Sequence, residues 1–110
     1  QMCIRDRSNL KDIKGAIADY TKAIEVDSEY ANAYYNRGIE KFELEDYYGA
    51  ISDYTKTIEI DSNYINAYLN RSISKEKIGD IKGACLDAKK IISLGNTDSQ
   101  NEKWVRDNCY

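Results

Sequence analysis

The chain repeats itself every 34 residues. Aligning residues 31–64 with 65–98 gives 13 identities in 34 positions without a gap, and aligning 8–30 with 42–64 gives 14 in 23, against about two expected by chance in each. A period of this length restricts the fold to a stack of like supersecondary units, because one such unit cannot bury its apolar face alone. Asp12/Asp46/Asp80, Gly15/Gly49/Gly83, Ala16/Ala50/Ala84 and Asp19/Asp53/Asp87 recur in all three copies, and Asn36/Asn70 and Arg37/Arg71 recur in the two complete ones.

Within each unit the apolar residues follow a helical period. Tyr47, Ala50, Ile51, Tyr54 and Ile58 fall at i, i+3, i+4, i+7 and i+11. Ile13, Ala16, Ile17, Tyr20 and Ile24 repeat the pattern, as do Ile81, Ala84, Cys85, Ala88 and Ile92, so each set is the buried stripe of one helix. Asp12, Asp46 and Asp80 stand just before these stripes, where a carboxylate accepts from an unpaired backbone N–H and favours the helix dipole. They are expected to be N-caps. An earlier helix over about 30–43 and 64–77, ending near Glu45 or Gly79, completes a helix–turn–helix hairpin in each unit.

The stretch "ANAYYNRGIEKFELEDYYGAISDYTKTIEIDS" resembles a tetratricopeptide repeat. The period, the A-x-A-Y-x-N-R-G opening, Gly38, Ala50 and Tyr54 all match. The resemblance implies an all-α fold, a right-handed superhelix (solenoid) of antiparallel helix–turn–helix repeats with a C-terminal capping helix. It covers residues 8–98, as an incomplete unit 8–30 and complete units 31–64 and 65–98, and 99–110 is similar to the helix that closes such arrays. Ser28 and Ser62 stand where the family usually has proline, Ser72 replaces the small glycine, and Ala88 replaces the aromatic anchor. Small residues let two helices cross closely, so Gly38 and Ala50 are expected to meet where the hairpin closes, and Ser72 and Ala84 to serve the same contact.

Residues 1–7, QMCIRDR, lack the opening signature of a first helix and are read as a non-repeat segment, possible junction material that carries no function. In 99–110, Trp104, Val105 and Cys109 share one side at near-helical spacing, and either Thr97-x-x-Gln100 or Ser99-x-x-Glu102 could form a capping box. That side is expected to cover the otherwise open end of 81–93, and packing rather than ligand binding is the plainer role for Trp104.

Composition narrows the chemistry. There is no histidine among the 110 residues, which removes the usual neutral-pH base and the commonest metal ligand, so no catalytic site, metal or cofactor is expected. A net charge of −3 and a pI of about 5.0 give no electrostatic footprint for nucleic acid. Cys3, Cys85 and Cys109 are odd in number, widely spaced and without a C-x-x-C pair, which argues against disulfides and zinc and for a reducing compartment. Cys85, at a buried phase, is expected to be a core thiol. No apolar run approaches the length of about 18 residues that spans a bilayer, so no membrane insertion and a cytoplasmic location are expected.

Ten tyrosines suggest a binding surface, but Tyr20, Tyr34, Tyr54 and Tyr68 belong to buried stripes. Tyr35, Ile39, Leu69 and Ile73 form a second stripe with no partner expected inside its own hairpin. The resemblance places this stripe on the concave face of the superhelix and gives Asn36 and Asn70, at its edge, the role of reading peptide backbone. An amide both donates and accepts, whatever the ligand sequence. The expected peptide-binding groove is thus Tyr35, Asn36, Ile39, Leu69, Asn70 and Ile73. A related subgroup grips a C-terminal carboxylate with inner-face Lys or Arg, but here Asn32 and Asn66 occupy those places, which argues against a chaperone-tail clamp. Arg37 and Arg71 are expected to pair with Asp53 and Asp87 across each hairpin. The function expected is a module that binds a peptide segment or helix of a protein partner. The alternative is a spacer or self-association segment of a longer solenoid.

Overall fold

The computed structural model describes the backbone of residues 2–95 and 99–110, and the side chains of 10–95 and 99–110. Six α-helices and no strand are found among the described residues: α1 (Met2–Val26), α2 (Ala31–Glu43), α3 (Tyr47–Ile60), α4 (Ile65–Lys77), α5 (Ile81–Ser93) and α6 (Ser99–Asn108). Each packs against the next in sequence, and α2 also meets α4. The thinnest dimension is 20 Å, which is two helix diameters: an all-α, two-layered repeat solenoid.

The expected caps are found where a hairpin precedes them. The Gly49 amide donates to Asp46 Oδ1 at 3.0 Å and the Gly83 amide to Asp80 Oδ1 at 2.9 Å. The chain leaves the preceding helices through Glu45 at φ 62° and Gly79 at φ 85°, the left-handed conformation that ends many helices. Asp12 is a correction. It lies inside α1, which runs unbroken from Met2. Nothing turns the chain before it, and Leu10 and Lys11 are strong helix formers that carry the helix through.

The core is built from the predicted stripes. Ala50, Tyr54 and Ala67 are buried, with Tyr35, Ile39, Phe42, Ile58 and Tyr64 packed against them. Tyr35 and Ile39 therefore do have partners in their own hairpin, contrary to expectation, because the large Tyr54 ring of α3 reaches to within 5.9 Å of the Tyr35 ring and lines the same cleft as Ile39. A Cβ built at Gly38 would meet the Tyr54 ring first, so the glycine also makes room for that ring. Ala84, Ala88 and Ile91 are buried in α5, whereas Ile81 is 38% exposed at its first turn.

Helix α6 covers α5 with Val105, which is buried, and the Asn101 amide donates to the Ala88 carbonyl at 3.2 Å. Trp104 Nε1 reaches Glu76 Oε2 on α4 at 3.3 Å. Thr97 lies outside the described residues. Cys85 and Cys109 form a disulfide with Cα atoms 5.7 Å apart. This overturns the reading of three unpaired thiols. A sequence separation of 24 residues hides the proximity created when α6 folds back along α5. No described helix is long and apolar enough to cross a membrane.

Candidate functional site: the α2–α4 groove

Helices α2 and α4 stand one repeat apart, so residues at the same phase line up across the space between them. Ile39, Phe42 and Glu43 from α2, Asn70 and Ile73 from α4, and Tyr54 from α3 surround a cleft of about 310 Å³. Three of the six expected groove residues, Ile39, Asn70 and Ile73, are brought together here. Tyr35, Asn36 and Leu69 lie outside its lining. Leu69 is 39% exposed and Asn36 is half-buried. Phe42 and Glu43 were missed, although they follow Ile39 at i+3 and i+4 and so share its face. Tyr54, a core residue by its helical phase, also closes the cleft with one side.

The polar groups of the groove are already in use to differing degrees. Asn70 Nδ2 donates to the Tyr35 hydroxyl at 3.0 Å, and the Tyr64 hydroxyl donates to Asn32 Oδ1 at 2.7 Å. The Tyr35 ring stacks at 4.9 Å from Tyr64 and 5.9 Å from Tyr54. Burial raises the Tyr35 hydroxyl above its ordinary pKa, with the Asn70 bond opposing. The Asn36 amide has no hydrogen-bond partner among the described residues. No group of His, Cys, Asp or Glu among the described residues could hold a metal ion.

Behind the groove, each complete hairpin carries the same ionic cluster. Arg37 is bidentate on Asp53, Nε to Oδ2 at 2.9 Å and Nη2 to Oδ1 at 2.8 Å, with Lys41 at 3.2 Å from Oδ2. Arg37 Nη1 also donates to Thr21 Oγ1 on α1 at 3.2 Å. In the next unit Arg71, Asp87, Lys75 and Thr55 repeat this arrangement. The bond to the aspartate raises each arginine's pKa against the opposing effect of burial. One guanidinium thus ties three helices, closing its own hairpin and holding the preceding unit. Asp53 and Asp87, both 3% exposed, are engaged by these cations inside the hairpins, and Asp53 also lies at the floor of an open depression of about 330 Å³ with Ser52, Thr55, Lys56 and Glu59.

Comparison with known proteins agrees with this architecture. A family model described as TPR repeat matches residues 9–39, and one described as Tetratricopeptide repeat matches 31–64. Together they span 9–64, over half of the chain. No curated protein matches. Among solved structures, the first TPR of Spaghetti (RPAP3), bound to an HSP90 peptide, superposes with a TM-score of 0.82 at 20% identity, over 96% of this chain and 85% of that one. The Arabidopsis OM64 TPR domain gives 0.78 at 29% identity, over 94% and 88%. The second TPR of Spaghetti (RPAP3), also with an HSP90 peptide, gives 0.73 at 26% identity, over 82% and 85%. The repeat period, the stacked hairpins, and the matching repeat models and structures lead to one conclusion: the chain belongs to the tetratricopeptide repeat family.

Proposed function

We propose that the chain is a protein-interaction module whose α2–α4 groove holds a peptide segment of a partner protein. In this reading residues 31–64 and 65–98 are the complete units, 8–30 is an incomplete one, and 99–110 closes the array. The observation that carries it is the cleft, with Ile39 and Ile73 as apolar walls and the Asn70 amide among them. The TPR structures bound to HSP90 peptides are consistent with such use of the fold. The chemistry here points to a different ligand from theirs. Glu43 lines the cleft, and Asn32 and Asn66 stand where a carboxylate-gripping face would carry cations, so apolar or basic segments fit better than an acidic tail. Titration of the full chain with apolar, basic and acidic peptides by calorimetry tests this. Saturable binding of the first two and none of the acidic peptide SRMEEVD is expected; no binding by any of them refutes the groove reading.

A spacer role has one observation in its favour. The Asn70–Tyr35 bond joins neighbouring repeats and the Tyr64–Asn32 bond ties the entry to α4 back to α2, so side chains at the groove already hold the solenoid together without a ligand.

A further inference from the structure

Successive units are joined by different chemistry at different junctions. Between α1 and α2, Arg37 Nη1 donates to Thr21 Oγ1, and between α3 and α4, Arg71 Nη1 donates to Thr55 Oγ1 at 3.1 Å. One period on, these two phases hold Val105 on α6 and Lys89 on α5, so the junction of α5 with α6 has no such tie. Val105 is buried there instead. The phases of Ile51 and Lys75 are taken by Cys85 and Cys109, which are joined in the disulfide. A covalent bond stands where the other junctions use a guanidinium.

Helix α6 leans heavily on that bond. Val105 is its one buried side chain among the described residues. The Asn101 amide donates to the Ala88 carbonyl, and the Trp104 contact with Glu76 is exposed. At ten residues α6 is shorter than the roughly 12–15 at which isolated helices are even marginal in water. Its order therefore depends on being held against α5, and the disulfide closes a separation of 24 residues to do so. The two sulfurs differ in access: Cys85 is 8% exposed and Cys109 is half-buried.

We propose that Cys85–Cys109 is a redox latch, which docks α6 on α5 when oxidised and releases it when a dithiol reduces the bond. One thiolate of the dithiol attacks the more open Cys109 sulfur, the bond to Cys85 breaks, and its electron pair leaves on the Cys85 sulfur, which takes up a proton. The second thiol of the dithiol then attacks the mixed disulfide and frees Cys109, which is protonated in turn. The chain gains two electrons and two protons, and the dithiol becomes a cyclic disulfide. The Arg37–Thr21 and Arg71–Thr55 ties contain no sulfur, so reduction leaves the first two junctions standing.

The chain carries a single tryptophan, Trp104 on α6, which makes its emission a reporter of docking. The test uses the full chain with Cys3→Ser, oxidised and then treated with dithiothreitol, followed by tryptophan fluorescence and by amide hydrogen exchange; thiol alkylation and mass measurement establish the redox state. Reduction is expected to shift the Trp104 emission to the red and to speed exchange in 99–109 by about tenfold or more, with exchange in 31–77 unchanged and reoxidation reversing both effects. Cys109→Ser should show the released state without reductant and ignore dithiothreitol. The proposal is overturned if α6 exchanges at the same rate in the reduced chain or in Cys109→Ser, or if dithiothreitol leaves the disulfide intact in the folded chain. Faster exchange throughout 31–77 on reduction would overturn it as well, by making the bond a staple of the whole fold.

Discussion

The ring of Tyr54 lies over the bare Cα of Gly38, so close that a Cβ built there would stand 2.7 Å from Tyr54 Cε1. The second hairpin carries Ser72 and Ala88 at these two phases, both buried. The two differences belong together: removal of the ring makes room for the side chain. Gly38→Ala should therefore destabilise the protein by about 1–3 kcal/mol. Combined with Tyr54→Ala its added cost should shrink, and denaturant melts of the single and double variants measure the coupling. Full additivity would mean the two residues do not compete for the same space.

The Arg37–Asp53 pair predicts a second cycle. Asp53 is 3% exposed and faces two cations, so Asp53→Ala leaves Arg37 and Lys41 together without their counter-charge. A loss of about 3 kcal/mol is expected. Replacing Arg37 and Asp53 together by Met and Leu should cost less than the sum of the single changes, and near-zero coupling in chemical denaturation would refute the pairing.

Alkaline pH should loosen the core. Burial, then the neighbouring Tyr35, Asp53 and Glu43, push the Tyr54 hydroxyl well above the ordinary tyrosine range, and Tyr35 and Tyr64 shift the same way, burial again being the main cause. Below about pH 10 both folded and unfolded chains keep these protons. Above it the unfolded chain releases them more readily than the folded one, so stability falls as pH rises, with Tyr54 alone contributing up to about 1.4 kcal/mol per pH unit. Melting temperatures from pH 8 to 11.5 should show a plateau and then a decline, shallower in Tyr54→Phe.

Groove residues should separate by what they already hold. Asn70→Ala removes the bond to Tyr35 and should lower stability by about 0.5–1.5 kcal/mol. Asn36→Ala breaks no described bond and should weaken peptide binding, by a similar amount, with the melt unchanged. Leu69→Ala, at a 39% exposed site, should alter which peptides are preferred. Calorimetry paired with thermal melts for each variant checks all three; a collapse of stability in Leu69→Ala would place that residue in the core.

Whatever depends on contacts three, four or 34 positions apart was legible in the chain itself. Helical stripes come from the 3.6-residue period, the Asp46 and Asp80 caps from their place before those stripes, and the Arg37–Asp53 and Arg71–Asp87 pairs from their joint recurrence. The family and the all-α solenoid follow from the same period. Tertiary structure decided what depends on the distance between helix faces. It spent the Asn70 amide on Tyr35, 35 residues away, gave Phe42, Glu43 and Tyr54 to the cleft, set Gly38 beneath a ring, and brought Cys85 to Cys109. It also ran α1 through Asp12, because a cap forms only where the chain before it turns. Periodicity assigns a residue to a face of its own helix; which atoms that face meets depends on how closely and at what angle its neighbours pack.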